Sequence, residues 1–239
     1  MLDTFEHIRI INLPSRTDRR REISAELARL GLAPDGKQIA FHRACRPDEP
    51  GGFSSVGARG CFLSHLAVLE QALEAGAETV LILEDDLDFV ADIEHRLPAT
   101  LARLSQQNWD VFYGGHAVAP GMVAPDGLLR ADPAMAVCTL HFVALSRRAV
   151  SIAVPFLKAM LSRPEGDPQG GPMHVDGAYC WMRAAHPQLE TWLAIPELGF
   201  QRSSRTDIHA LPLLDRTVAL RPAADLARRA KRWARRLRA

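Results

Sequence analysis

The sequence predicts an α/β domain built on a mostly parallel central sheet. Three observations lead there. Short apolar runs alternate with stretches of helical apolar spacing from the start of the chain to about residue 161. One run, Val80-Leu81-Ile82-Leu83, is apolar at every position, as a strand covered by helices on both faces must be. The chain of 239 residues is 47% hydrophobic and 24% charged, enough to bury one real core and too apolar for intrinsic disorder.

The elements follow in order. Residues 9–13 read as a buried first strand, stopped by Pro14. Ser15 is placed to cap a helix over 16–30, closed by Gly31. A second short strand covers 38–42. Residues 46–57, rich in Pro and Gly, read as a loop. Leu63, Leu66, Leu69 and Leu73 mark a helix over 59–75, ended by Gly76. A strand over 79–83, a helix over 92–104 and a strand over 110–113 come next. A strand over 137–145 and a helix over 147–161 complete the alternation. Residues 163–172 read as a mobile Gly/Pro loop, and 177–185 as a helix that Asp176 is placed to cap. Beyond that the local pattern weakens.

Charge and composition exclude several classes. No run of about 18 to 20 apolar residues exists, so no membrane-spanning helix is expected. The opening residues Met1 to Glu6 are polar and acidic, unlike a signal peptide. Cys45, Cys61, Cys138 and Cys180 form no CxxC pair, so neither a zinc ribbon nor a thioredoxin-type site is read. A cytoplasmic protein with reduced thiols is expected. Residues 226–239 hold seven Arg and Lys and no acid, while the other 225 residues carry 22 basic and 28 acidic side chains. A mildly acidic body argues against a nucleic-acid binder. In the tail, Leu226, Ala230, Trp233 and Leu237 recur at helical spacing among basic residues. That is an amphipathic basic helix able to lie on an anionic membrane; packing on its own domain is the alternative. The expected organisation is a domain over 1–222 and a tail over 223–239.

The sharpest chemical signal is Leu83-Glu84-Asp85-Asp86, three consecutive carboxylates ending a buried strand. Ligands of open α/β sheets bind beyond the C-terminal strand ends. Crowded, desolvated carboxylates repel and need a cation, and oxygen ligands favour Mg²⁺ or Mn²⁺, which would hold a substrate diphosphate. A solvated acidic turn is the alternative. The stretch from Gly52 to Arg59 has the glycine spacing of a P-loop but Ala58-Arg59 where Lys and Ser/Thr are needed. Neither a GxSxG elbow nor HExxH spacing occurs.

Three blocks in this order resemble glycosyltransferase family 25, the lipooligosaccharide and collagen-type galactosyltransferases. They run from Ile11 to Arg20, from Gly57 to His65 (Gly-Ala-Arg-Gly-Cys-Phe-Leu-Ser-His), and from Ile82 to Asp86. A later segment, Gln201 to Ile208, resembles the family's C-terminal end. The chain departs from the family pattern at Ala58 and Arg59. The resemblance implies a GT-A fold with a DxD-type metal motif. It also implies transfer of a hexose, galactose or glucose, from a UDP-sugar to a glycan or lipid-linked acceptor such as lipooligosaccharide, with inversion. On that reading Asp86 and Glu84 ligate Mn²⁺ or Mg²⁺, with His209 as a further candidate ligand. Asn12, Leu13, Arg16, Arg20, Ser64, Glu84 and Asp85 are the candidates for holding the nucleotide sugar. Asp176 is the candidate base that deprotonates the acceptor hydroxyl. For Arg20 a merely solvated helix face is the alternative. Two other classes stay open: a metal-dependent nucleotidyltransferase or nucleotide-sugar hydrolase, and a catalytically inactive binding module. The expected location is cytoplasmic, with possible peripheral contact at the inner face of the membrane through the tail.

Overall fold

The computed structural model describes residues 2–118 and 121–202. His209 and the basic tail, and with them the boundary expected at 222, lie outside the described residues.

Nine strands and five helices are described, in the order β1 (His7–Asn12), α1 (Thr17–Arg29), β2 (Ile39–Arg43), α2 (Val56–Glu74), β3 (Thr79–Glu84), β4 (Leu87–Phe89), α3 (Ile93–Leu104), β5 (Val111–Ala117), β6 (Leu128–Arg130), β7 (Cys138–Ser146), α4 (Arg147–Leu161), α5 (Val175–Ala185), β8 (Thr191–Ala194) and β9 (Gly199–Gln201). The main sheet has the order β2-β1-β3-β7-β5-β8-β6. Strands β1, β2 and β3 run parallel, β7 runs against β3 and β5, and β8 is parallel to β5. β6 lies antiparallel on β8. Five of the seven strands therefore point one way, and the mostly parallel α/β sheet expected of a GT-A-type domain is present. A separate ribbon pairs β4 with β9.

The sheet is covered on both faces, as the unbroken apolar run required. Along β3, Val80 and Ile82 enter one core with residues of α2, α4 and α5, while Leu81 and Leu83 enter the other with residues of α1 and α3. β7 does the same, Val143 and Leu145 to the first side and Phe142 and Ala144 to the second. Strand side chains alternate faces, so one apolar strand supplies both cores.

Several boundaries differ from the sequence reading. The first helix is not capped by Ser15: Arg16 holds the cap position, with no capping side-chain hydrogen bond, and the helix starts at Thr17. The second helix starts three residues earlier than its leucine pattern indicates. Ser55 caps it, accepting from the Ala58 N–H at 3.0 Å, so Gly57 and Gly60 are helical. Gly60 is required by close approach: a Cβ there would lie 2.6 Å from the Cys45 carbonyl oxygen. The fifth helix starts at Val175, which puts Asp176 in its first turn with His174 at the cap position. Strands β4, β6, β8 and β9 are only three or four residues long. Such runs are too short to show a period.

Candidate functional site

The C-terminal ends of β1, β2 and β3 lie side by side and open on a cleft of about 690 Å³. Its lining includes Leu13 beyond β1, Cys45 beyond β2, Cys61 on α2, the three carboxylates Glu84, Asp85 and Asp86, and Gln201 of β9. Its size suits a small organic ligand.

The carboxylates sit in different surroundings. Ile11 is paired with Glu84 across the β1–β3 ladder, so Asn12 stands one residue further, beside Asp85. Asn12 Nδ2 donates to Asp85 Oδ2 at 2.7 Å, and Arg19 Nη1 donates to Asp85 Oδ1 at 2.9 Å. Both Asp85 oxygens are thus engaged. Arg19 Nη1 also lies 3.3 Å from Asp86 Oδ2, which accepts from Gln201 Nε2 at 3.4 Å. Asp86 Oδ1 is buried and has no hydrogen-bond partner among the described residues. Burial, reinforced by the charge of Glu84, pushes the Asp86 carboxyl up to about 7, against the pull of Arg19. Burial also raises Asp85, opposed by Arg19 and Asn12. For Glu84 burial acts upward too, but the hydrogen bond and charge of His65 outweigh it and hold the carboxyl below its ordinary value.

The turn carrying these groups is braced from behind. Arg202 donates its backbone N–H to the Asp86 carbonyl at 2.6 Å. Its guanidinium donates to Asp88 Oδ1 at 2.9 and 2.7 Å and to the Leu87 carbonyl at 3.2 Å, and pairs with Glu22. Asp88 is fully buried, so this ion pair fixes β4 to β9 under the cleft.

An oxygen-rich, partly neutralised pocket with one buried unpartnered carboxylate oxygen fits a hard divalent cation. Asp86 and Glu84 are the groups that would hold it. Asp85 is committed to Asn12 and Arg19.

The remaining candidates are distributed as follows. Leu13 lines the cleft. Ser64 lines it too, but its hydroxyl donates to the Gly60 carbonyl at 2.6 Å and accepts from the Cys45 N–H at 2.8 Å, clamping α2 to the segment after β2. Arg16 forms a two-point pair with Asp18 at 3.0 and 2.9 Å. Arg20 lies over the Phe41 ring, 4.0 Å from its centre. Neither arginine is among the residues lining the cleft. Asp176 accepts from the Thr139 N–H at 3.2 Å and from the Gly177 N–H at 2.9 Å. Burial pushes the Cys61 thiol up, and the charge of Asp176 adds to that. Thr139 has a φ of 65°, a strained value for a β-branched residue. It lines a second cavity of about 580 Å³ together with His116 and His141. Gln201 borders both cavities.

Arg19, Gln201 and Arg202 are the participants that the sequence reading did not assign. For Arg19 a signal existed. The buried positions Ile23, Glu26 and Leu27 mark the inner face of α1, and one turn back from Ile23 is residue 19.

With this geometry in place, the comparisons bear directly on it. Residues 5–115 match the model of "Glycosyltransferase family 25 (LPS biosynthesis protein)". That stretch carries β1 to β4, the first part of β5 and the whole carboxylate motif, and over it the chain is similar to family 25. A glycosyltransferase 25 family member from Anopheles gambiae is 31% identical over 137 residues, covering 47% of this chain and 22% of that protein. Procollagen galactosyltransferase 1 of Danio rerio is 29% identical, covering 46% and 21%. Inactive glycosyltransferase 25 family member 3 of Homo sapiens is 28% identical, covering 46% and 22%. The chain spans about a fifth of the length of these curated relatives.

Proposed function

We propose that this protein is a metal-dependent glycosyltransferase that moves a hexose from a UDP-sugar to a glycan acceptor. The observation that carries the reading is the buried Asp86 oxygen beside Glu84, without a partner among the described residues, at the strand ends of a chain segment matching family 25. A divalent cation, Mn²⁺ or Mg²⁺, would supply charge neutralisation for the leaving diphosphate. The protein does the rest. Asn12 and Arg19 hold Asp85 rigid, and the Arg202–Asp88 pair fixes the turn. Leu13 and the segment after β2 shape the wall against which the nucleotide lies.

The second cavity supports an acceptor position, since Gln201 joins it to the carboxylate turn. Asp176 is the base in this reading, and its link to Thr139 ties it to that cavity. A lipid-linked acceptor, lipooligosaccharide among them, would suit the basic tail, which we assign a peripheral membrane contact. Among the described residues no helix is long and apolar enough to cross a membrane.

A screen of UDP-sugars with Mn²⁺, scoring nucleotide release with and without glycans, tests the proposal. Acceptor-stimulated release supports transfer. Release that no acceptor changes indicates a nucleotide-sugar hydrolase. A second reading has its own support, because the chain is nearly as similar to a relative named inactive as to a galactosyltransferase. Nucleotide binding without any release supports that inactive binding module.

A further inference from the structure

Beside the carboxylate turn lies a cluster of different chemistry. Cys61 and His65 are one turn apart on α2 and face the end of β3. Cys61 Sγ lies 3.7 Å and His65 Nε2 3.4 Å from the same oxygen of Glu84, Oε1. One donor atom from each residue falls within 4.8 Å of the others. His65 is fully buried, and Nε2 is the ring nitrogen that has a partner, Nδ1 having none among the described residues. The polar chemistry of this imidazole is therefore directed at Glu84.

The His65 contact is long for a hydrogen bond. An N–H···O bond is normally about 2.7 to 3.2 Å, and here a second contact, from Cys61, converges on the same oxygen. As ligand-to-ligand separations they fit well. Zinc bonds of roughly 2.0 Å to O and N and 2.3 Å to S, at tetrahedral angles, place neighbouring ligand atoms about 3.3 to 3.5 Å apart. The two separations from Glu84 Oε1 are close to these values, and the Cys61–His65 separation lies within 4.8 Å.

We propose that Cys61 Sγ, His65 Nε2 and Glu84 Oε1 form a three-ligand site for a borderline divalent metal, Zn²⁺ or Co²⁺, with a fourth position open to the cleft. The thiolate and imidazole select this class over Mg²⁺ or Mn²⁺, which favour the all-oxygen surroundings of Asp86. The thiol proton leaves to solvent as the Cys61 sulfur–metal bond forms, and the metal's oxidation state does not change. Cys61 and Glu84 both line the cleft, so the metal has a path in. The site shares Glu84 with the donor reading, whereas Cys61 and His65 take no part in that reading and Asp86 takes no part here.

Co²⁺ titration of the full-length protein, kept reduced with a phosphine, tests it. One equivalent should produce the near-ultraviolet sulfur-to-cobalt charge-transfer band, which Zn²⁺ should then abolish by displacement. Cys61→Ser should remove the band, and His65→Gln should weaken Co²⁺ binding by about tenfold or more. A variant with Cys45, Cys138 and Cys180 all changed to Ser should keep the band, which leaves the proposal testable if Cys61→Ser does not fold. Asp86→Asn should also keep it, even where UDP binding is lost, so failure of the transferase reading is separable. Absence of the band in the wild-type protein, its survival in Cys61→Ser, or its loss in the triple variant while that variant stays folded would overturn the site.

Discussion

Asp86 shows how one residue's surroundings set its chemistry. Its neighbour Asp85 has the same side chain and comparable burial, yet its two oxygens are engaged by Asn12 and Arg19, whereas one oxygen of Asp86 has no partner among the described residues. Replacing Asp86 by Asn should lower transfer by at least about 100-fold while leaving the fold intact, because a metal ligand carries several kcal/mol of leaving-group stabilisation. Near wild-type turnover in a steady-state assay would make the motif structural. The raised carboxyl has a second consequence in metal-free protein. A group at about 7 in the fold and near 3.8 when unfolded binds more protons in the native state. Its contribution to stability is fully present below 3.8 and is lost as pH rises through 7. Urea midpoints in chelator should therefore fall from pH 4.5 to 8 more for the wild type than for Asp86→Asn. Parallel pH profiles would show that the carboxyl is not raised.

At the scale of elements, the cleft depends on contacts that brace its walls. Arg202→Met takes the guanidinium away from the fully buried Asp88 carboxyl, at a cost of about 3 to 5 kcal/mol. Chemical denaturation should show that loss, and the β4–β9 ribbon should lose amide-exchange protection first. Gly60→Ala should cost about 1 to 3 kcal/mol, since its Cβ meets a backbone carbonyl that cannot rotate away. The long elements were legible in the sequence because each shows a period. The apolar β3 run announced a strand covered on both faces, and the leucine spacing announced α2. The start of α2 was misplaced because Gly57 read as the end of the Pro/Gly loop, whereas the Ser55 cap starts the helix at Val56. The carboxylates were legible because they follow a strand. The groups meeting them from β9 were not, because 115 residues separate Gln201 from Asp86 and no local pattern records that meeting.

At the scale of the whole molecule, the sheet brings the C-terminal ends of β1, β2 and β3 side by side, and β9, from the far end of the described chain, pairs with β4 and adds Gln201 to the cleft lining. The tail lies outside the described residues. Removing residues 226–239 should weaken sedimentation with anionic vesicles at low salt, by roughly 1 kcal/mol for each basic residue near the surface, and should spare nucleotide binding. Equal sedimentation of both forms would remove the membrane role. The central claim is that the carboxylate turn binds a nucleoside diphosphate through a divalent cation. Calorimetric titration of UDP into the purified full-length protein, once in chelator and once in Mn²⁺, tests it most directly. The account predicts weak binding in chelator, where the carboxylates repel the diphosphate, and markedly tighter binding in Mn²⁺. Equal affinity in the two conditions would contradict it.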